Sequence, residues 1–333
     1  MKGERGLIEK LGRVFGQPPA AVVCGIGDDT AVIAPGGGDY LLWTIDSLIE
    51  GVHFDLTYTP LKSLGRKALA VNLSDIAAMG GQPQYALLAL GWPPERPLAG
   101  VLELARGMQE IAGEFGVALI GGDTVSSPGV LSLSLTVLGR VEPEALLRRD
   151  GARVGDEIYV TGPLGQAAAG LEILRRGLAR PGNEKSSLVQ AFLHPRPQVA
   201  AGGVLAKNQL ASASIDLSDG VASDLQQICL LSRVGAVVHA ANLPIPGPVA
   251  EVAALMGREP WDLALRGGED YQLLFTAPPG QKQVIQRYFR QAGLPEPVCI
   301  GEIIPGSGVR LRLHAGEIDI SGTGFDHFPE SQA

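Results

Sequence analysis

The stretch KALAVNLSDIAAMGG, residues 67–81, follows Pro60 and continues apolar spacing begun at Leu61 and Leu64. Read as one helix from Pro60 to Gly80, it puts Asn72 and Asp75, three residues apart, on one face. Ala68 or Met79 shares that face, and an aspartate on a partly apolar face needs a partner. A metal ion is one candidate; a cap at a helix break near Ser74 is the other. The segment also has an echo. NLSD (72–75) precedes GGDT (121–124), as DLSDG (216–220) precedes GGED (267–270). Each half thus pairs an L-S-D element at a helix with a later Gly-Gly-acid turn and a strand. Two short matches also arise by chance, so duplication and coincidence both stay open.

Outward from this stretch, apolar runs alternate with helical ones. Strands are expected at Tyr40–Ile45, Tyr85–Leu90, Ala118–Ile120, Leu131–Leu138, Glu157–Val160, Ser214–Leu217, Gln272–Thr276 and Val309–Leu313. A second helix after Pro97 shows Val101, Leu104, Met108, Ile111 and Phe115 at a 3.6-residue period. Others are expected at Leu164–Arg176, Gln198–Lys207, Val221–Ser232 and Gln281–Ala292. The pattern is mixed α/β, or α+β. Glu142–Asp156 is charged and carries Pro and Gly, so the domain boundary is placed there, dividing 1–145 from 146–333. A second polar loop is expected at Ala179–Ser187.

A chain of 333 residues, 45% hydrophobic, can bury a substantial core. Its net charge of -8 argues against binding along a nucleic-acid phosphate backbone. Any anionic substrate would need something to offset the carboxylates, and a divalent metal does this. Cys24, Cys229 and Cys299 are widely separated, which fits a reduced, cytoplasmic setting better than a disulfide framework. The first residues lack the apolar core of a signal peptide, and no apolar run is long enough to span a membrane.

Acidic turns carry the chemical signal: Asp28-Asp29, Thr44-Ile45-Asp46, Ser74-Asp75, Gly122-Asp123, Asp216–Asp219 and Glu269-Asp270. Most are expected where a strand hands over to a loop. Singly, each is an ordinary turn. Together, repeated acids after apolar strands favour a Mg²⁺–phosphate site, because hard cations take carboxylate and phosphate oxygens. No P-loop, complete dinucleotide fingerprint, protein-kinase triplet, zinc spacing or nucleophile elbow is present. His239 and His314 read as structural, whereas His53 follows an acidic segment in a short loop. Arg148 and Arg149 are either a solvated pair or a phosphate clamp. Phe325 is either packing or an aromatic wall for a flat ligand.

The ordered set GIGDDTAV, TIDSLIEGVHF, GRKALAVNLSDIAAMGGQP, LIGGDT, RRDGARVGDEIYVTGPLG, IDLSDGVASDL, GGEDYQLLFT and GTGFDHF resembles the thiamine-monophosphate kinase family. Its wider superfamily holds aminoimidazole ribonucleotide synthetase, selenophosphate synthetase and a hydrogenase maturation protein. The resemblance runs from residue 25 to 328. It implies an aminoimidazole ribonucleotide synthetase-like fold of two domains. The N-terminal one would bind ATP and metal and pair in a homodimer through a β-barrel-like interface. ATP as co-substrate and several Mg²⁺ ions would meet Asp29, Thr44, Asp46, Asp75, Asp123, Asp216 and Asp219. Gly122, Asp123, Arg149 and Ser218 would touch ATP. His53, Glu269 and Phe325 would contact thiamine monophosphate. Ile45 departs from relatives that carry a hydroxyl there, and could offer only its backbone carbonyl.

The implied reaction yields thiamine diphosphate. A phosphomonoester's second pKa is near ~6, so its oxygen attacks without a general base. The obstacle is repulsion, about 4 kcal/mol for unit charges ~4 Å apart at an effective dielectric near ~20. Bridging Mg²⁺ would offset it. A sister ATP-dependent synthetase and a non-catalytic nucleotide-binding homologue remain the alternatives.

Overall fold

In the computed structural model, residues 3–178, 187–324 and 327 are described. The first half runs α1 (Gly3–Phe15), β1 (Val22–Cys24), β2 (Ala31–Ile33), β3 (Tyr40–Ile49), α2 (Leu61–Ala78), β4 (Gln82–Trp92), α3 (Ala99–Phe115), β5 (Ala118–Ser126) and β6 (Ser132–Val141). Its sheet has the order β1-β2-β3-β6-β4-β5, antiparallel except for the parallel pair β4–β5. Along β3, Leu42, Thr44 and Leu48 are buried beneath the helices, while Trp43, Ile45 and Ile49 are exposed on the opposite face. This is the period-2 alternation of a half-covered sheet.

α2 is covered on nearly every side: 14 of its 18 residues are buried. Its one-sided apolar pattern is therefore weak, as expected for a helix enclosed by both halves of the chain. It reaches α3 at unusually short range. A Cβ on Gly65 would lie 1.9 Å from the Leu104 carbonyl oxygen, and one on Gly107 1.8 Å from that of Lys62. Either residue as alanine would force the helices apart.

The second half contains β7 (Glu157–Val160), α4 (Gln166–Arg175), α5 (Ser187–Leu193), α6 (Val199–Lys207), β8 (Ala213–Asp216), α7 (Val221–Ser232) and β9 (Gly235–His239). It continues with α8 (Gly247–Leu255), α9 (Pro260–Arg266), β10 (Leu273–Ala277), α10 (Lys282–Gln291), β11 (Val298–Ile304), β12 (Gly308–Leu313) and β13 (Gly316–Asp319). These strands form a second mixed sheet, β13-β12-β9-β11-β7-β10-β8, parallel only at β9–β12. Strand β10 is entirely buried, its two faces entering separate clusters through Leu274 and through Leu273 and Phe275.

The expected mixed α/β class and two-part layout are present. Three expectations change. Thr44-Ile45-Asp46 and Gly122-Asp123 are not turns: they lie inside β3 and β5, whose hydrogen-bonded ladders run through them. Asp75 is inside an unbroken α2, so no helix break forms near Ser74. The expected loop at Ala179–Ser187 lies outside the described residues up to 186, and Ser187 opens α5. The connection at 142–156 contains two short 3-10 turns.

Candidate active site

Three carboxylates meet where the two halves face each other. Asp29 comes from the loop between β1 and β2, Asp75 from the last turn of α2, and Asp216 from the end of β8. One oxygen of each lies within 4.8 Å of the others. Each reaches this point by a different rule. Asp29 follows the bend at Gly27-Asp28, Asp75 rides the enclosed helix, and Asp216 ends a buried strand.

Asp46 joins the group electrostatically. It is on the helix-covered side of β3, and its backbone N–H donates to Asn72 Oδ1 at 3.2 Å. Burial pushes its carboxyl up to about 6, with Asp29 and Asp219 adding repulsion. Burial and then Asp46, Asp216 and Asp29 hold Asp75 well above the carboxylate range, against a hydrogen bond from Thr44 Oγ1 at 2.5 Å. Asp216 is raised by burial and by Asp29. Its Oδ2 is buried and accepts no well-formed hydrogen bond, the nearby Ser74 hydroxyl exerting only a weak opposing pull.

One cation is built in. The guanidinium of Arg149 donates to both Asp29 oxygens, Nε at 3.1 Å and Nη2 closer, and its backbone N–H reaches Asp28 at 3.3 Å. Burial opposes its charge, but Asp29 and Asp28 overcome this and hold it protonated. Asp28 still titrates near about 6, raised by burial and Asp29. Arg148 instead pairs with Asp150 at the surface. Of the two readings, solvated pair or clamp, the first fits Arg148; Arg149 clamps carboxylates.

The remaining predicted residues separate. Ile45 is 65% exposed on the outer face, so its side chain points away from Asp46. Gly122 and Asp123 are on β5. The register Asp46–Leu135–Leu88–Gly122 puts them three strands from β3, about 14 Å along the sheet at ~4.8 Å per strand. Asp123 is exposed, its Oδ1 accepting from the Thr124 N–H, and it lies outside the three-carboxylate group. Ser218 helps shape the site through its carbonyl, which accepts from the Glu269 N–H at 2.8 Å.

His53 and Glu269 lie close enough to interact electrostatically. His53 Nδ1 accepts from the Ile49 N–H at 3.0 Å, and its ring lies 5.0 Å from that of His327. Burial and then His327 lower its pKa, while the nearby Glu269 pulls it upward. Glu269 and Tyr271 adopt left-handed backbone at φ 69° and 47°, an uncommon state for residues with side chains. Phe325 lies outside the described residues. Gly324 packs against Ser223 and Asp219, beside the same site.

Sequence reasoning missed Lys67, which pairs with Glu269, and the two buried acids that cap helices. Asp270 accepts from the Gly165 and Ala167 N–H groups at the start of α4, at 2.6 and 3.1 Å. Burial drives it to about 7, against those bonds. Asp224 accepts from Asp219 and Gly220 at the start of α7. Its position inside IDLSDGVASDL was the available signal. A separate cavity of about 640 Å³ between α3 and β4 is lined mainly by aliphatic side chains, with Arg106 and Gln109 and no carboxylate, so the acidic chemistry is elsewhere.

This two-sheet fold with acids at the seam defines the class of AIR synthase related proteins. Their N-terminal domain family matches residues 27–141 and their C-terminal domain family residues 153–314. A thiamine-monophosphate kinase of Buchnera aphidicola (Acyrthosiphon pisum) is 36% identical over 91% of this chain and 92% of that protein. The solved structure "AaThiL complexed with AMPPCP and TMP" superposes with a TM-score of 0.85 at 32% identity, covering 98% and 97% of the two chains. The thiamine-monophosphate kinase of Stenotrophomonas maltophilia K279a gives 0.75 at 39% identity, covering 92% and 94%. The chain belongs to the thiamine-monophosphate kinase family, and is thus a phosphotransferase.

Proposed function

We infer that this chain transfers the terminal phosphoryl group of ATP to the phosphate of thiamine monophosphate, giving thiamine diphosphate and ADP. The observation that carries this reading is the Asp29–Asp75–Asp216 cluster. Asp29 and Asp216 are buried and Asp75 half-buried, their charges repel one another, and the cluster lies in a chain related throughout its length to these kinases. Its donors are all hard oxygens, and Asp216 Oδ2 is a ligand atom with no hydrogen-bond partner among the described residues. These features fit Mg²⁺. Asp29, Asp75 and Asp216 would hold it, with Asp46, Asp219 and Thr44 close by; Asp123, three strands away on β5, would serve the nucleotide rather than this ion. When bound, Mg²⁺ supplies positive charge that offsets repulsion between two phosphates.

The chain's own contribution is positional. α2 fixes Asp75 and Asn72 in one rigid unit, and Arg149 keeps Asp29 oriented while adding a fixed charge. Gly122, Asp123 and Ser218 are the proposed nucleotide contacts. His53, Glu269 and Phe325 are the proposed contacts to thiamine monophosphate, with Glu269 facing its cation or amino group. No side chain is asked to remove a proton, because the acceptor phosphate is already ionised near neutral pH.

The domains are proposed to divide at 145/146. The outer face of the first sheet exposes Trp43, Ile45, Tyr85 and Leu87, and every residue of the edge strand β5 is exposed. An open apolar edge favours a homodimer closing a barrel-like interface. No helix among the described residues is long and apolar enough to cross a membrane. A cytoplasmic location is the accompanying proposal.

Purified protein incubated with ATP, Mg²⁺ and thiamine monophosphate is expected to form thiamine diphosphate. Turnover only with another acceptor would point to a sister synthetase, and ATP binding without turnover to a non-catalytic homologue. Light scattering on the intact chain is expected to give twice the monomer mass, and Leu87→Glu to reduce it.

A further inference from the structure

Lys67 is only 1% exposed, yet it carries an ammonium group. It projects from α2 in the first half of the chain toward the second. Its Nζ lies 2.6 Å from Glu269 Oε1 and 3.7 Å from the centroid of the Phe192 ring on α5. Beyond these two contacts it has no hydrogen-bond partner among the described residues. A buried charge so sparsely satisfied is costly unless it serves a geometry. Here it joins three elements, α2, α5 and the GGED loop, at the residue whose backbone sits at φ 69°.

We propose that Lys67 is a positioning residue that fixes the Glu269 carboxylate for recognition of the cationic, amino-bearing end of the substrate. This rests on the reading of Glu269 as a substrate contact. The geometry divides the carboxylate's work. Oε1 is committed to Lys67. Oε2 would be left to accept an N–H from the ligand, on a side chain that stays 25% exposed. The ring of Phe192 covers the ammonium, so Lys67 itself stays sealed from solvent. His53 lies near enough to feel both charges, Glu269 raising and Lys67 lowering its pKa. Lys67 and Asp75 are eight residues apart on α2, about 12 Å at ~1.5 Å per residue. The helix therefore sets the separation between the metal-binding carboxylates and the substrate-recognising one. Apolar replacement of the pair would fill the space but lose that registration.

The test compares Lys67→Met, Lys67→Arg, Glu269→Gln and the double variant Lys67→Met/Glu269→Gln in steady-state assays. Lys67→Met is expected to raise KM for thiamine monophosphate at least about tenfold, with KM for ATP changed less than about twofold. Lys67→Arg should recover most of that loss. The double variant should be no worse than Glu269→Gln alone, because the two residues act as one unit. It removes both charges, so it stays informative if Lys67→Met fails to fold. An equal rise in both KM values, or additive losses in the double variant, overturns the proposal. If Glu269→Gln leaves KM for thiamine monophosphate unchanged, the assignment of Glu269 is what fails. If Glu269→Gln raises it and Lys67→Met does not, only the role of Lys67 fails.

Discussion

Two places on α2, two turns apart, solve the burial of charge in opposite ways. At Lys67 the helix buries a cation beside one carboxylate and one aromatic ring, and the charge is matched within the chain. Two turns on, Asp75 is buried among other acids, and the matching charge is missing except for Arg149 beside Asp29. A matched pair can orient a ligand that binds weakly. An unmatched cluster stores repulsion that an added cation or a proton relieves, which is the mark of a site built for function rather than stability.

Removing acid from the unmatched cluster is expected to have the largest effect. Asp75→Asn should cut turnover by about 10²–10³-fold. The same change should raise the melting temperature of the metal-free protein at pH 7.5. Asp75 has a raised folded pKa, so ionising it above that pKa works against folding, and asparagine removes the penalty. Wild-type turnover at limiting Mg²⁺ would break the contrast between the two places.

Arg149 tests the cation built in beside Asp29. Arg149→Met strands Asp28 and Asp29 without a counter-charge, and should cost about 3 kcal/mol in denaturant unfolding without Mg²⁺. Saturating Mg²⁺ should return part of that loss. No dependence on Mg²⁺ would separate Arg149 from the metal cluster.

The pH dependence sharpens the comparison further. Asp28 and Asp46 titrate near about 6 in the folded protein, above the ordinary carboxylate value of 3.8. Their contribution to stability is full below about pH 4 and is lost as pH rises through about 6. The loss is at most about 3 kcal/mol for each group, and less in sum because they interact. Calorimetry should therefore find Mg²⁺ raising the melting temperature strongly at pH 7.5 and hardly at pH 4.5. Equal shifts at both values would contradict a carboxylate site.

The smallest effect is expected where an acid serves only a helix. Asp270→Ala removes the cap of α4 and should cost about 1 kcal/mol, read as a shift of the denaturant midpoint with or without Mg²⁺. A Mg²⁺-dependent loss would place Asp270 with the functional acids instead.

The sequence alone determined the mixed α/β class, the amphipathic α3 and the existence of many acids beside apolar runs. These follow from local periodicity and composition, which a linear reading captures. Asp29, Asp75 and Asp216 could be singled out there, but not their meeting point, since residues 187 apart in the chain touch only after both sheets form. The extended β3 and β5 ladders hid the positions of Asp46 and Asp123, because glycine and acid side chains imitate turns. Nor could sequence distinguish Asp270, which satisfies helix N–H groups, from Glu269 beside it. Lys67 looked like part of a helical face. Only the packing of α2 between the two halves decided that it is buried, and that its charge is answered by a residue from the far end of the chain.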